Sequence, residues 1–122
     1  MIRIAAFALT ALTTLATASE RPDLLCGGVE PSWSLEIARE SALFTAPDSA
    51  DIHYTIPLIT PADGRPWPRA LTLLAPQDTA IALIRPQTCS DTMSDRRYEW
   101  TVDVLTQRRS EAILLTGCCR AK

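Results

Sequence analysis

The chain has 122 residues, of which 12 are Lys or Arg, 14 are Asp or Glu, and one, His53, is histidine. This length allows a single ordinary domain, and a slightly acidic chain without a basic block argues against nucleic acid or an anionic membrane as the main partner. One histidine excludes a metal site built from several histidines. It also leaves any nucleophile–histidine catalysis dependent on His53 alone.

The first 18 residues are organised like a secretory signal. Arg3 supplies a positive charge, residues 4–15 are apolar apart from threonines, and residues 16–18, Ala-Thr-Ala, match a small-x-small cleavage site. The apolar run is too short to span a bilayer, so we expect cleavage and no other membrane association. The remaining domain, residues 19–122, has 104 residues with 11 basic and 14 acidic side chains, and is expected in the periplasm or secreted.

The rest of the chain predicts short strands. Residues 19–28 are polar and then Gly-Gly, which predicts a loose N-terminal segment ending at Cys26. Alternating or continuous apolar runs then predict strands at residues 33–37, 41–45, 52–58, 71–75, 79–84, 98–104 and 111–119. Pro57 indicates an edge or bulge, and the proline-rich residues 60–69 predict an irregular loop pinned by Trp67.

Seven or eight short strands, with no long stripe of helical period, predict an all-β fold. The expected architecture is a small antiparallel meander, closed as a barrel or folded as a sandwich, and held together by disulfide bonds.

The four cysteines of the remaining domain predict two disulfides, because an even count in a short exported chain is typical of such bonds. Adjacent Cys118 and Cys119 could bond to each other only through a strained ring. Cys26 is therefore expected to bond to one of them and Cys89 to the other. Neighbouring residues on a strand point to opposite faces, so the pair can attach two parts of the chain to the last strand. A soft-metal site at reduced Cys118 and Cys119 is the alternative, which an exported compartment disfavours.

Two segments carry polar residues that strand alternation does not require: residues 27–33, GGVEPSW, and residues 89–96, CSDTMSDR. Short oxygen-bearing side chains such as Asp91, Ser94 and Asp95 commonly accept hydrogen bonds from backbone N–H groups in tight turns. A calcium site is the alternative, but the calcium-loop pattern is absent and Arg96 would oppose a cation. We therefore expect no metal ion and no cofactor.

Glu30 has two interpretations. It can accept hydrogen bonds from Arg96 or from the backbone of the neighbouring loop. It can instead pair with Asp91 as the general acid and base of a hydrolase. A solvent-filled cleft of about 300 Å³ or more, lined by both carboxylates, would favour the hydrolase. Saturation of the carboxylates by backbone donors would argue against it.

The aromatic residues are most simply core or loop anchors. A platform for stacking sugars or peptides would require at least one exposed ring among Trp33, Trp67 and Trp100. Trp67 lies in a proline-stiffened loop, which makes it a candidate for insertion into the cleft of a partner enzyme. His53 is expected at the surface or half-buried, because no serine stands in a Gly-x-Ser-x-Gly elbow.

The same two polar segments carry a family resemblance. Residues 30–37, EPSWSLEI, resemble the E-P-F-W-x-L-x-I signature of a family of bacterial exported proteins and lipoproteins of uncharacterised activity. Residues 89–98, CSDTMSDRRY, resemble its C-x-D-G-M-S-D-x-x-Y motif, and residues 117–118 its closing Gly-Cys. The chain departs from the family at Ser32, usually Phe, at Glu99, usually Pro, and at Thr92. Glycine is usual at this last position, so threonine weakens the expectation of a positive-φ turn.

The resemblance implies a Cys89–Cys118 disulfide, with Cys26 and Cys119 as the additional pair. It implies a compact periplasmic β domain similar to META-type domains and lysozyme-inhibitor lipoproteins, and no catalytic residues. The two motif segments would then meet beside the Cys89–Cys118 bond and form one polar cluster, consisting of Glu30, Trp33, Asp91, Ser94, Asp95 and Arg96.

We therefore expect an exported, non-catalytic binding or envelope-associated protein, whose partner is a periplasmic protein or a cell-wall component. The alternatives are an inhibitor of a cell-wall-cleaving enzyme such as lysozyme, with Trp67 in its binding loop, and a hydrolase that uses the Glu30/Asp91 pair.

Overall fold

A computed structural model describes residues 2, 4–13, 21–108 and 110–122 of the chain. Residues 4–13 have no regular secondary structure, and their large apolar side chains are exposed. The predicted cleavage site at residues 16–18 lies outside the described residues. None of the described residues belongs to a helix long and apolar enough to cross a membrane.

Eight antiparallel strands close into a barrel, which confirms the all-β prediction and decides between barrel and sandwich. The order around the barrel is β1-β10-β9-β6-β5-β4-β3-β2, and β7 and β8 form a separate two-stranded sheet. The strands are β1 (Leu24–Val29), β2 (Ser32–Ile37), β3 (Ser41–Ala46), β4 (Ser49–Pro61), β5 (Arg69–Ala75), β6 (Asp78–Arg85), β7 (Cys89–Ser90), β8 (Arg97–Tyr98), β9 (Trp100–Arg108) and β10 (Glu111–Ala121).

The prediction of a loose N-terminal segment over residues 19–28 is wrong for its second half. Residues 24–29 form β1 and pair with both β2 and β10. The two glycines that suggested a loop instead allow close packing. A Cβ atom on Gly28 would lie 2.4 Å from the indole nitrogen of Trp33. A Cβ on Gly117 of β10 would lie 2.2 Å from the carbonyl oxygen of Gly27. Glycine within a strand is typical of such close approaches.

The core fills the barrel with the inward side chains of alternating strand residues. Strand β4 shows the pattern, with Ile52, Tyr54 and Ile56 buried and the residues between them exposed. The pairing of β4 with β5 shifts register between Thr55 and Leu58, which is where Pro57 predicted a bulge. The hydroxyl of Tyr54 donates a hydrogen bond to the carboxylate of Asp78 inside the barrel.

Two disulfides join the last strand to other parts of the chain, as the adjacent cysteines predicted. Cys26 and Cys119 face each other across β1 and β10 and are bonded inside the barrel. Cys118, the next residue, is bonded to Cys89. This pairing is the one that the family resemblance implied, and the two bonds leave no free cysteine in the described residues.

Candidate functional site

The connection between β6 and β9, residues 86–99, crosses the outer face of the barrel; we call it the arm. It contains β7 and β8, both of which contact β10. Cys118 follows an inward-facing position on β10, yet only 5% of it is exposed. The Cys89–Cys118 bond therefore attaches the arm to the outer face of β10 and shields the sulfur atoms from solvent.

A groove of about 260 Å³ lies between the arm and the edge of the barrel. Its walls come from the two segments that the sequence singled out, joined by the middle of β10. The lining residues are Gly27, Gly28, Val29, Glu30, Cys89, Ser90, Asp91, Thr92, Met93, Thr116, Gly117 and Cys118. Glu30 and Asp91 thus line one groove. The volume of this groove is somewhat below that of a typical small-molecule site.

The carboxylate of Asp91 holds the arm in a tight turn. One of its oxygens accepts hydrogen bonds from the backbone N–H groups of Met93 and Ser94, each at 3.0 Å. The hydroxyl of Ser94 donates to the same carboxylate at 3.2 Å, and the hydroxyl of Tyr98 donates to its other oxygen at 3.3 Å. An aspartate carboxylate that accepts hydrogen bonds from backbone N–H groups two and three residues further along the chain is typical of a tight turn.

These donors stabilise the ionised form of the carboxylate. The backbone N–H of Met93, followed by that of Ser94, lowers the pKa of the Asp91 carboxyl below its ordinary value, and the hydroxyl groups of Ser94 and Tyr98 contribute in the same direction. Such a group stays ionised at neutral pH and is a poor proton donor or acceptor there.

Thr92 adopts φ = 64°, in the left-handed region, although threonine is disfavoured there. The positive-φ turn is therefore present even though glycine, the usual residue of the resembling motif, is absent. The backbone N–H of Thr92 donates to the hydroxyl of Ser90 at 3.3 Å. The next two residues, Met93 and Ser94, donate their backbone N–H groups to Asp91. Together these contacts offset the steric cost of the Thr92 side chain.

The other members of the predicted polar cluster divide into two groups. Arg96 joins the Asp91 network through its backbone N–H, which donates to the Ser94 hydroxyl at 3.3 Å, while its guanidinium lies over the ring of Tyr98. Glu30 and Asp95 are exposed, and within the described residues no hydrogen bond or ion pair joins Glu30 to Arg96. The arm thus stabilises its own turn without Glu30.

The tryptophans lie away from the groove's open face. Trp33 is buried in the barrel and stacks with Phe44 at 6.2 Å between ring centroids. Trp67 is half-buried, with its ring at 5.0 Å from that of Trp100 in an edge-on arrangement and the guanidinium of Arg69 over its face. His53 is exposed on β4 and lies outside the groove.

Met93 lies in the polar segment 89–96, but the sequence analysis gave it no role, and Thr116 of β10 was not singled out at all. Met93 lines the groove with 67% of its surface exposed, and exposed Val29 lines the same groove. A lone apolar residue inside a run of short polar ones was the available signal. Among the described residues, no group of three or more His, Cys, Asp or Glu side chains is arranged to hold a metal ion.

Comparisons with protein-family models, with curated proteins and with solved structures find no match for this chain.

Replacing Thr92 with glycine should raise the free energy of unfolding by about 0.5–1 kcal/mol, because it relieves the left-handed strain at some cost in unfolded-state entropy. Chemical denaturation provides the measurement. The matched control is Thr79→Gly on β6, at an exposed strand position, where the same change should lower stability by about 0.5–1 kcal/mol. A loss of stability in Thr92→Gly would contradict the strained turn.

Replacing Asp91 with asparagine should weaken the acid sensitivity of the fold. A carboxyl with a lowered folded-state pKa stabilises the protein above its unfolded pKa of about 3.9, and this contribution disappears as the pH falls through the folded value. The wild type should therefore be more stable than Asp91→Asn at pH 6, and this difference should shrink below about pH 4.

Thermal unfolding across this pH range measures the effect. Asp95→Asn, which leaves the Asp91 hydrogen bonds in place, serves as the matched control and should follow the wild-type profile. Parallel profiles for the wild type and Asp91→Asn would show that the Asp91 hydrogen bonds do not favour its ionised form.

Proposed function

We propose that this chain is an exported, non-catalytic binding protein of the periplasm or cell envelope, which uses the groove beside the arm to hold a segment of a partner protein. Two disulfides close the barrel and fasten the arm, and such bonds persist in oxidising compartments. The exposed, irregular residues 4–13 lie outside the barrel, in agreement with a removable leader. The resemblance of residues 30–37 and 89–98 to exported proteins and lipoproteins supports the same compartment.

The exposed Met93 on the arm is the observation that supports binding most directly. Its flexible thioether lines the same groove as Val29 and offers an adaptable apolar contact. The arm that presents it is fixed at Cys89 by a disulfide and at Asp91 by the turn, so little ordering is needed when a partner binds. Pre-organised apolar contacts of this kind are typical of protein-recognition surfaces.

The size and lining of the groove favour a protein segment as its occupant. At about 260 Å³ it is smaller than the roughly 300–1,000 Å³ of sites for drug-sized molecules. The main chain of Gly27 and Gly28 forms part of one wall, where no side chain blocks an approaching backbone. A short apolar stretch of a partner fits these dimensions.

The hydrogen bonds of Asp91 argue against the hydrolase alternative. Two backbone N–H groups and two hydroxyl groups already donate to its carboxylate, and they lower its pKa, so it is a weak proton acceptor at neutral pH. A hydrolase at this site would have to work with Glu30 alone.

The binding proposal is tested with Met93→Asp, which places a charge in the apolar contact and should weaken partner binding at least tenfold. The oxidised protein is immobilised and exposed to bacterial periplasmic proteins, and retained proteins are quantified by mass spectrometry. Leu58→Asp on β4, at an exposed position away from the groove, is the matched control and should retain the same proteins as the wild type.

Soluble muramyl dipeptide and chitotriose, added separately, distinguish a cell-wall ligand from a protein partner. Equal retention of every captured protein by Met93→Asp and the wild type would contradict the proposed surface. Hydrolysis of purified peptidoglycan by the wild type but not by Glu30→Gln would overturn its non-catalytic character.

A second candidate function, inhibition of a cell-wall-cleaving enzyme, is favoured by the construction of the loop between β4 and β5. The backbone N–H of Ala62 donates to the carbonyl of Pro68 across its base at 2.8 Å, and that of Arg65 donates to Ala62 at 3.1 Å. The side chain of Arg69 donates to Pro66 at 3.0 Å. The loop is therefore stiff, with exposed Arg65 at its tip. The half-buried ring of Trp67 supports the loop and packs edge-on against the ring of Trp100.

If the loop inhibits such an enzyme, the wild-type protein should slow the digestion of purified peptidoglycan by a c-type lysozyme, measured as loss of turbidity. Arg65→Ala should weaken inhibition at least tenfold, because the tip of a rigid inserted loop carries much of the binding free energy. Arg120→Ala, an exposed arginine on β10, is the matched control. Undiminished digestion at a large molar excess of the wild type would exclude this function.

A further inference from the structure

The two disulfides differ in how a reagent in solution can reach them. Cys26 and Cys119 are 2% and 0% exposed, and their bond lies among the inward side chains of the barrel. The arm shields the outer bond from bulk solvent, but Cys89 is only half-buried, and both Cys89 and Cys118 line the groove. The outer bond can therefore be approached through the groove in the folded protein, whereas the inner bond becomes accessible only when the barrel opens.

The strands on either side of the inner bond also protect it. Cys26 and Cys119 lie opposite each other where β1 pairs with β10, and this pairing closes the barrel. Exposing the inner bond to attack would break that pairing, so its reduction requires unfolding of the barrel. The outer bond joins the arm to β10, which remains paired with β1 and β9 after the bond is cut.

The arm keeps its own turn without the outer bond. The backbone N–H groups of Met93 and Ser94 and the hydroxyl of Tyr98 donate to Asp91, and all four residues belong to the arm. Strands β7 and β8 form a two-stranded sheet of their own, which lies against β10 without joining its sheet. Reduction should therefore release the arm as a folded turn, and the groove would lose one of its walls.

We propose that the Cys89–Cys118 bond is a thiol–disulfide exchange site, at which a dithiol reductant detaches the arm while the barrel stays closed. A thiolate of the reductant attacks Sγ of Cys89, the more accessible partner, and forms a mixed disulfide, while Cys118 leaves as a thiolate. The second thiol of the reductant then attacks its own sulfur in the mixed disulfide and releases Cys89. Two electrons pass to the protein, the reductant becomes a disulfide, and its two protons end on Cys89 and Cys118.

The freed Cys118 thiol is separated from the inner bond. Adjacent residues of a strand face opposite sides of the sheet, so Cys118 faces outward while Cys119 faces the core. The sheet therefore lies between the new thiol and the Cys26–Cys119 bond, which disfavours rearrangement to a Cys26–Cys118 pair. Reduction at the outer site should stop there as long as the barrel is folded.

Reduction by dithiothreitol, a dithiol, tests the order in which the bonds break. The full chain is expressed with its own leader, purified oxidised and reduced at about pH 8, where thiolates form. Samples are quenched with excess N-ethylmaleimide, and tandem mass spectrometry distinguishes the adjacent Cys118 and Cys119. A species labelled only at Cys89 and Cys118 should form at least about a hundredfold faster than the fully labelled one.

Unfolding the protein in guanidinium chloride provides the matched control, because both bonds are then exposed and should be reduced at similar rates. In the native protein, simultaneous labelling of all four cysteines would overturn the proposal. Earlier labelling of Cys26 and Cys119 would also overturn it.

Cleavage by trypsin, which cuts after arginine, reports the release of the arm. Arg96 is exposed on the arm, and Arg39 is exposed in the turn between β2 and β3. Once the outer bond is reduced and alkylated, cleavage after Arg96 should be at least about tenfold faster, because a released segment fits a protease more readily. Cleavage after Arg39 should not change. Equal cleavage after Arg96 in both states would overturn the proposal, as would faster cleavage after Arg39.

A variant that combines Cys89→Ser with Cys118→Ser removes the outer bond without a reductant. It should keep the near-UV circular dichroism of the wild type and be cleaved after Arg96 as fast as the reduced protein. Loss of that spectrum would contradict a barrel that stays closed without the outer bond.

The consequence for partner binding rests on the proposed function. Protein that is reduced and alkylated only at the outer site should retain captured periplasmic proteins at least about tenfold more weakly than the oxidised wild type. Equal retention by the two forms would contradict control of the groove by this bond. Oxidised wild type that captures no protein would contradict the proposed function, but not the order of reduction or the release of the arm.

Discussion

The pairing of β1 with β10 is the constraint on which the rest of this structure depends. It closes the barrel, and the two strands lie so near each other that a Cβ atom on Gly117 would be 2.2 Å from the carbonyl oxygen of Gly27. The Cys26–Cys119 bond spans the same seam with its Cα atoms 4.0 Å apart. Without this seam the sheet would have two open edges, and the buried side chains of both strands would be exposed.

The two disulfides attach different parts of the chain to β10, because Cys118 and Cys119 are adjacent and face opposite sides of the strand. The inner bond closes a sequence separation of 93 residues and the outer one a separation of 29. In the chain-entropy model these contribute about 4.7 and 3.6 kcal/mol if each is taken alone. Either is a large share of the 5–15 kcal/mol that usually separates folded from unfolded states. The outer bond also places the arm against β10, and the groove exists only because of that placement.

The arm and the outer face of β10 together form one surface of the barrel, joined by the Cys89–Cys118 bond. The groove beside the arm combines a fixed turn at Asp91 with one flexible apolar side chain, Met93.

The sequence by itself determined the all-β class, most strand positions, the bulge near Pro57 and the existence of two disulfides, because alternation, proline and cysteine spacing are local signals. It also identified Asp91 and Ser94 as turn residues. It could not determine that residues 24–29 form a strand, since Gly27 and Gly28 resemble loop residues until Trp33 and Gly117 are packed against them. Nor could it separate Glu30 from the Asp91 network, or place Met93 and Val29 in one groove. Those relations depend on strand register and on the path of the arm, which only the closed barrel decides.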